Sequence, residues 1–261
     1  MKRRDFLLCI AGGLLAAPAF SAESSAAIGA AINKAGRQRM LSQRMAKAYA
    51  MQAAGVMPDR ASMLLDGSRR LFEAQLSELK GFAPTEAIQL ALQALDKAWL
   101  GYRDALARPK SLESSKLVLA ESDNTLRAAH ALTGLYEKQS ASGAGRLVNL
   151  SGRQRMLSQR MAKCFLFEQS GMGTGNLKAE MDTARSEFVA ALAELNAAPA
   201  NNAAIRLELE LANTQWLFFE QALNGREANR EVAARNVATT SERILEVMES
   251  LTGRYESLVR A

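Results

Sequence analysis

Apolar residues recur along this chain at helical spacing, and no stretch shows the strict alternation of apolar and polar residues that is typical of a half-buried strand. One example is the stripe formed by Leu41, Met45, Ala48 and Tyr49, which share one face when successive residues are placed about 100° apart. Such a stripe packs into a hydrophobic core. The pattern therefore predicts an all-α protein.

Proline, glycine and serine residues divide the first half of the chain into four helical stretches. We expect helices from about Ser25 to Ala54, from Pro58 to Gly81, from Pro84 to just before Pro109, and from Ser111 onwards. Proline in a first turn and serine at an N-cap are usual signals for the start of a helix. Four helices joined by short connections predict an up-down four-helix bundle.

The second half of the chain repeats the first. The twelve residues GRQRMLSQRMAK occur at Gly36–Lys47 and again at Gly152–Lys163, an offset of 116. Residue pairs further along match at offsets of 117 and then 119, as small loop insertions would produce. Breaks at 170–175, 196–202 and 224–225 divide the second copy in the same way. The prediction is therefore two tandem up-down four-helix bundles.

The chain divides into three predicted parts: an export signal at residues 1–22, a first four-helix repeat at 23–141, and a second repeat at 142–261. The junction between the repeats reads QSASGAG. It can form a turn between antiparallel helices or lie within one continuous helix. We favour the turn because Gly143 and Gly145 weaken a helix.

The N-terminus has the composition of an export signal. A basic start at 2–4 precedes an apolar run at 6–16, and small residues follow that run. Residues 3–7 (RRDFL) also resemble a twin-arginine signal. Cleavage after Ala19 or after Ser21 would satisfy the rule of small residues at the cleavage site. We therefore expect a periplasmic protein, exported by the twin-arginine or the general secretory route.

The charge and cysteine content exclude several classes of function. The 261 residues carry a net charge of +6, and loss of residues 1–22 would leave a mild excess of +4. An exported protein meets no chromosomal DNA, so we expect no nucleic-acid partner. Beyond the signal no apolar run of about 20 residues occurs, so no transmembrane helix is expected after cleavage. Cys164 would then be the only cysteine, which excludes an internal disulfide.

The sequence contains no pattern for a metal, a covalent cofactor or an enzyme. CxxCH, HExxH, paired Cys/His motifs and phosphate-binding glycine loops do not occur. We expect the single histidine, His130, on a helix surface, Cys164 as inert core packing, and Trp99 and Trp216 as matched core anchors. We therefore predict no cofactor, no metal site and no catalytic residue.

The repeated block carries a second helix face that mixes small residues with one arginine per copy. Its members are Ile28, Ile32, Ala35, Gly36, Arg39, Gln43 and Ala46, and in the second copy Val148, Ser151, Gly152, Arg155, Gln159 and Ala162. Small residues at this spacing let another helix approach closely. We expect the other basic residues of the block, Arg37, Arg44 and Lys47, to be solvated.

Two arrangements of Arg39 and Arg155 are compatible with this face. Each side chain can extend to water or pair with a carboxylate on a neighbouring helix. Alternatively, the first helices of the two copies pack around a pseudo-twofold axis, and the two arginines converge. Guanidinium groups about 5 Å apart repel by roughly 3 kcal/mol at an effective dielectric near 20, whereas an anion about 4 Å from both gains about 4 kcal/mol from each. A converged pair is therefore favourable only with an anion, and its planar forks suit a planar oxyanion.

Residues 32–42 (INKAGRQRMLS) resemble the P-box of nitrate/nitrite sensor kinases of the NarX/NarQ type, which the N-terminal domain of PilJ-type pilus chemotaxis transducers shares. The second copy, 148–158 (VNLSGRQRMLS), departs conservatively at its first and fourth residues. In those kinases the P-box arginines of two subunits hold one nitrate at the dimer axis. The resemblance implies that Arg39 and Arg155 do so here within one chain, with Gly36 and Gly152 allowing close approach and Ile32 and Val148 completing the ligand-binding set.

Two functions follow as expectations. The first is an exported sensory accessory protein that binds a small oxyanion, nitrate or nitrite by resemblance, between the first helices of its repeats. The second is a helical interaction module that docks on a membrane sensor, a pilus or a chemotaxis component without a small ligand. In either case a membrane-bound sensor or chemoreceptor is the expected partner. Not all pilus-type relatives are known to bind nitrate, so the resemblance leaves the identity of the anion open.

Overall fold

The computed structural model describes residues 22–140, 143–171, 176–225 and 227–260. Its helices are α1 (Ala22–Ala53), α2 (Pro58–Lys80), α3 (Glu86–Ala107), α4 (Leu112–Lys138), α5 (Gly143–Gln169), α6 (Leu177–Ala197), α7 (Ala203–Asn224) and α8 (Arg230–Arg260). These ranges contain no strand, so the prediction of tandem all-α bundles is confirmed. The predicted export signal lies outside the described residues, apart from Ala22, where α1 begins.

Local side-chain chemistry sets the starts of several helices. The hydroxyl of Ser111 accepts a hydrogen bond from the backbone N–H of Ser114 at 3.0 Å, which confirms its N-cap role at α4. At α3 the N-cap is Thr85, whose hydroxyl accepts from the Ile88 N–H at 3.3 Å. Pro84 therefore precedes α3 and does not lie in its first turn, which corrects the predicted start from residue 84 to residue 86.

The two copies join through their first helices. Helices α1 and α5 pack side by side at the centre, with α2 and α4 against α1 and with α6 and α8 against α5. Helices α3 and α7 lie further out, on α4 and α8. Tyr49 and Phe167 stack with ring centroids 6.3 Å apart at the C-terminal ends of α1 and α5, so these helices run parallel. A pseudo-twofold axis along the pair then relates the copies.

Helix α8 also crosses from its own copy to the other. It packs against α1 as well as α5, and it runs antiparallel to α1, since Asn33 contacts Glu256 and Lys47 contacts Ser241. This second contact places polar side chains of α8 over a face of α1 that a single bundle would leave to solvent.

One hydrophobic core extends through both copies. Trp99 stacks on Phe72, and Trp216 stacks on Phe188, each pair with ring centroids 4.4 Å apart. Both tryptophans are buried, so their prediction as matched core anchors is confirmed. Cys164 is buried in the same core, as predicted, and burial raises the pKa of its thiol to about 11. A thiol of that kind is a poor nucleophile at neutral pH.

The junction between the copies is not one continuous helix. Helix α4 ends at Lys138, where the N–H groups of Gln139 and Ser140 donate to the carbonyls of Tyr136 and Glu137. Helix α5 begins at Gly143. Residues 141–142, within the predicted turn, lie outside the described residues. In the described part of the chain, no helix combines the length and apolarity that crossing a bilayer requires.

Gly67 offers a test of the local helix energetics. It lies inside α2, and a Cβ built there meets no atom within 4 Å. Gly67→Ala is therefore expected to raise the free energy of unfolding by about 0.5–1 kcal/mol, because alanine loses less backbone entropy on folding. Urea denaturation followed by circular dichroism measures the change. In Gly29→Ala, the matched control, the new Cβ would lie 3.1 Å from Cβ of Val259, so the gain should be reduced or lost. Equal gains at both sites would contradict this reasoning.

Candidate functional site

Gly36 and Gly152 hold equivalent positions in the two copies of the repeated block, and they lie where α1 and α5 meet. A Cβ built at Gly36 would lie 3.1 Å from Nη2 of Arg39 and 3.5 Å from Nη2 of Arg155. A Cβ built at Gly152 would lie 3.1 Å from Nη2 of Arg155 and 3.6 Å from Nη2 of Arg39. Both guanidinium groups therefore lie together against both glycines. The predicted convergence of the two arginines is confirmed.

Arg39 and Arg155 are both fully buried, with 0% of either residue exposed. Neither side chain extends to water, so that alternative is wrong. Burial, together with the nearby charge of Arg153, lowers the pKa of Arg39 to about 9. Burial likewise lowers the pKa of Arg155 well below its usual value, and Arg37 and Arg39 add to that effect. The pair forms a buried cationic centre that the protein itself compensates only in part.

Each arginine donates across the pseudo-twofold axis to the other copy. Nη2 of Arg39 donates to the carbonyl of Asn149, and Nη2 of Arg155 donates to the carbonyl of Asn33, both at 3.3 Å. The amide of Asn33 donates in turn to Glu256, and that of Asn149 donates to Glu137. The two asparagines hold equivalent positions in the copies, at the offset of 116, and the two glutamates do so at the offset of 119. The two copies thus build one site with near-twofold symmetry.

The symmetry breaks at one pair of positions. Nη1 of Arg155 donates to Glu249 at 2.7 Å, and the same carboxylate pairs with Arg37. The equivalent position beside Arg39 holds His130, whose Nδ1 lies 3.4 Å from Nη1. The alternative that these arginines pair with neighbouring carboxylates is therefore correct for Arg155. Among the described residues, Arg39 is in no ion pair.

The sequence patterns did not predict that His130 and Glu249 contact the two central arginines. His130 is exposed on α4, as predicted for a surface histidine, but its ring also lies against Arg39. Burial and the charges of Arg39 and Arg153 lower its pKa below 6.5, so it is uncharged at neutral pH. Applying the offset of 119 to the only histidine would have identified Glu249 as its partner position.

The Nε donors of the two arginines differ from their Nη donors in lacking a hydrogen-bond partner in the described part of the chain. The Nε atoms of both side chains are buried and have no hydrogen-bond partner among the described residues. A buried charged donor without an acceptor costs about 1–3 kcal/mol or more. Ile32 and Val148 lie one helical turn before the glycines and are buried in the core. The structure thus brings four of the six predicted site residues, the two arginines and the two glycines, into contact. Ile32 and Val148 lie in the adjoining core.

The prediction that Arg37, Arg44 and Lys47 are solvated is wrong. Lys47 is fully buried, with Nζ 3.1 Å from Oγ of Ser241 and paired with Glu242 at 2.5 Å. Arg44 donates to the same carboxylate through Nε at 3.1 Å, and Arg37 pairs with a carboxylate on α8. The physical reason is the second contact of α8, which covers this face of α1 with acidic side chains from the other copy.

The second copy contains the matching contact. Lys163 is fully buried and pairs with Asp123 on α4 at 2.9 Å. Burial lowers the pKa of Lys47 to about 8, an effect that Glu242 partly offsets. Burial alone would raise the pKa of Glu242, but Lys47 and Arg44 outweigh it and hold that pKa at about 2. Lys47 therefore carries its charge at neutral pH. Each of the two buried lysines joins the copies through an ion pair.

The described residues contain no group of three His, Cys, Asp or Glu side chains that could hold a metal ion. The site presents buried hydrogen-bond donors and positive charge from Arg39 and Arg155. Such an arrangement can bind an anion, and it presents no nucleophile beside a base.

The family model for the N-terminal domain of type IV pili methyl-accepting chemotaxis transducers, PilJ, matches residues 20–128 and again residues 138–243. The chain belongs to the PilJ family. The two matched segments confirm two tandem copies. No curated protein and no solved structure was found to match. The PilJ part of the resemblance is thereby shown, whereas the likeness to nitrate/nitrite sensor kinases stays a prediction.

Membership of the PilJ family indicates a sensory domain. N-terminal domains of this family are typically extracytoplasmic sensor domains, and the family is sensory rather than catalytic. The chain is thus a tandem helical protein of a sensory, chemotaxis-transducer family. In that context a cationic centre at the contact between two copies is a candidate ligand site.

Proposed function

We propose that this protein binds a small planar oxyanion, nitrate or nitrite, between α1 and α5, and serves as an exported sensory accessory protein. One observation carries the proposal. Two fully buried guanidinium groups, Arg39 and Arg155, lie side by side against Gly36 and Gly152, with both Nε donors unpartnered among the described residues.

The electrostatics favour an anion at this point. Two guanidinium charges about 5 Å apart repel by roughly 3 kcal/mol at an effective dielectric near 20, while an anion about 4 Å from each gains about 4 kcal/mol twice, before its desolvation. Burial and neighbouring positive charges lower the pKa of both arginines. A bound anion would offset the repulsion between these positive charges and would favour the charged forms of both arginines.

The shape of the site favours a small, flat ligand. Glycine at positions 36 and 152 lets the two guanidinium groups lie against the helix backbones, and a Cβ at either position would come within 3.1–3.6 Å of them. Forked, coplanar donors match the oxygens of a planar oxyanion better than a point charge would. The carbonyls of Asn33 and Asn149 hold one donor of each fork, which fixes the orientation of the planes.

A partner protein would detect the ligand-bound form of this protein. The ligand would tie α1 to α5, and hence one copy to the other, so its presence would stiffen the contact between the copies. We propose a periplasmic location and a membrane-bound chemoreceptor or pilus component as the partner, in line with the sensory family. The competing proposal is a helical interaction module that docks on such a partner without a small ligand.

Arg39→Met and Arg155→Met are expected to weaken nitrate binding about 10- to 100-fold each, because each removes charge-assisted hydrogen bonds of about 1.5–3 kcal/mol. Methionine keeps most of the side-chain volume, so the core stays filled. Isothermal calorimetry and thermal-shift titration with nitrate, nitrite, sulfate and chloride measure the effect. Saturable nitrate binding by the unmodified protein should raise its melting temperature.

The matched control is Arg146→Met, since Arg146 lies on α5 itself but its side chain is 60% exposed, in an ion pair with Glu194. This variant removes the same charge from the same helix and should bind nitrate like the unmodified protein. No response of well-folded protein to any of the four anions would overturn the proposal in favour of the interaction module. Equal loss in the control would show that only net charge matters.

A further inference from the structure

We propose that Glu249 is a built-in counter-ion that fills half of the anion site and thereby restricts its ligand to a single negative charge. The inference rests on the proposed function, and it names the charge class of the ligand and the residue that selects it. It follows from the break in symmetry at Glu249 and His130.

The geometry places Glu249 where a ligand oxygen would otherwise bind. Its carboxylate accepts from Nη1 of Arg155 at 2.7 Å and also pairs with Arg37. Under the pseudo-twofold axis this position coincides with His130, whose Nδ1 faces Nη1 of Arg39 at 3.4 Å. A neutral imidazole can accept that donor but adds no negative charge. One arginine thus has an internal anion, and the other has a neutral acceptor.

The ion pairs at the site engage one of the two buried arginines and leave the other for a ligand with one negative charge. Arg39 and Arg155 supply two positive charges to the buried centre. Glu249 forms an ion pair with Arg155 and with Arg37, and the nearby charges of Glu137, Glu256 and Arg153 also act on the pair. A bound monoanion would pair with Arg39, which is in no ion pair among the described residues, as Glu249 pairs with Arg155. A dianion would add a second negative charge beside a fixed carboxylate in a site shielded from water, where like charges repel strongly.

The exposure of the two groups indicates how the selection operates. Both arginines are fully buried, whereas the Glu249 side chain is 34% exposed at the edge of the site. Glu249 therefore stands between Arg155 and solvent, and an incoming anion meets the carboxylate before it meets that guanidinium. The anion must share Arg155 with Glu249 or displace it towards Arg37, which costs less for a weakly charged ligand.

The test compares anions of equal shape and different charge. Perchlorate and sulfate are both tetrahedral, with one and two negative charges, and nitrate serves as the planar monoanion. Binding to the full chain is measured by calorimetry at constant ionic strength. The unmodified protein should prefer perchlorate to sulfate. Glu249→Gln should bind nitrate more tightly and should reduce the preference for perchlorate over sulfate at least about tenfold.

The symmetry of the site supplies the second variant. His130→Glu places a carboxylate in the other half, so both arginines gain an internal counter-ion, and nitrate affinity should fall at least about tenfold. This variant keeps every ion pair of the present structure, so it remains informative if Glu249→Gln folds poorly. Glu246→Gln is the matched control, because Glu246 is exposed on the same helix and its replacement changes the net charge equally.

The outcomes separate this inference from the proposed function. If Glu249→Gln and the unmodified protein bind with the same affinities and the same preference, the inference is overturned while the proposed function stands. If only Glu249→Gln binds an anion, Glu249 is confirmed as the internal occupant, and the proposed function fails for the natural chain. If neither binds, both are overturned. Equal changes in Glu246→Gln would also overturn the inference.

Discussion

Replacement of Glu242 by alanine is expected to lower the free energy of unfolding by about 3–5 kcal/mol, because it leaves a fully buried lysine without its counter-ion. Glu242 accepts from the Lys47 ammonium, which also donates to the hydroxyl of Ser241, and Arg44 donates to the same carboxylate. Removing it strands two cations between α1 and α8. Urea denaturation of the full chain, followed by circular dichroism, measures the loss.

The pseudo-symmetric pair supplies the matched control for this prediction. Asp123→Ala removes the partner of Lys163, but the Asp123 side chain is 27% exposed, so water can replace the carboxylate. Its expected cost is smaller, roughly 1–2 kcal/mol. The double variant Lys47→Met/Glu242→Leu should recover most of the stability lost in Glu242→Ala, because apolar packing replaces the ion pair. Equal costs for Glu242→Ala and Asp123→Ala would contradict the assigned burial.

The same carboxylate predicts the acid dependence of stability. Its folded pKa of about 2 lies below the usual value of 4.5, so the stabilisation is fully present above about pH 4.5 and is lost as the pH falls towards 2. Glu242→Ala should therefore lose less stability than the unmodified protein between these pH values. Denaturation series at several pH values in this window provide the comparison.

Phe72→Ala and Phe188→Ala are each expected to lower the free energy of unfolding by about 3–5 kcal/mol, because each removes a buried aromatic ring from a well-packed core. Both rings stack on a tryptophan with centroids 4.4 Å apart, in equivalent places of the two copies. Either loss should destabilise both copies, since one core and the buried ion pairs join them.

Tryptophan fluorescence can report each copy separately. In Trp216→Phe the remaining Trp99 reports the first copy, and in Trp99→Phe the remaining Trp216 reports the second. Adding Phe72→Ala to either background should shift both reporters to the same lower midpoint. Two separate transitions, with only the first copy destabilised, would show that the copies unfold independently and would contradict the shared core.

Much of the fold was predictable from local patterns. Apolar spacing, helix-terminal serine and proline, and the repeated block identified the helices, and the small-residue face containing Gly36 and Arg39 identified the contact between copies. These features depend on neighbours within a few residues, where helical geometry determines which side chains share a face. The N-cap Ser111 and the matched tryptophans were predicted on the same grounds.

The sequence by itself determined the duplication, the helical class and the one arginine per copy that lies at the central contact. Only the tertiary structure decided which charges are buried and what they meet. Lys47 resembled a solvated residue because its covering carboxylate, Glu242, belongs to a distant helix of the other copy. Glu249 and His130 were likewise unremarkable in sequence, and they differ in effect because folding places them against Arg155 and Arg39. Burial and pairing depend on groups brought together across the chain, and helical periodicity carries no information about them.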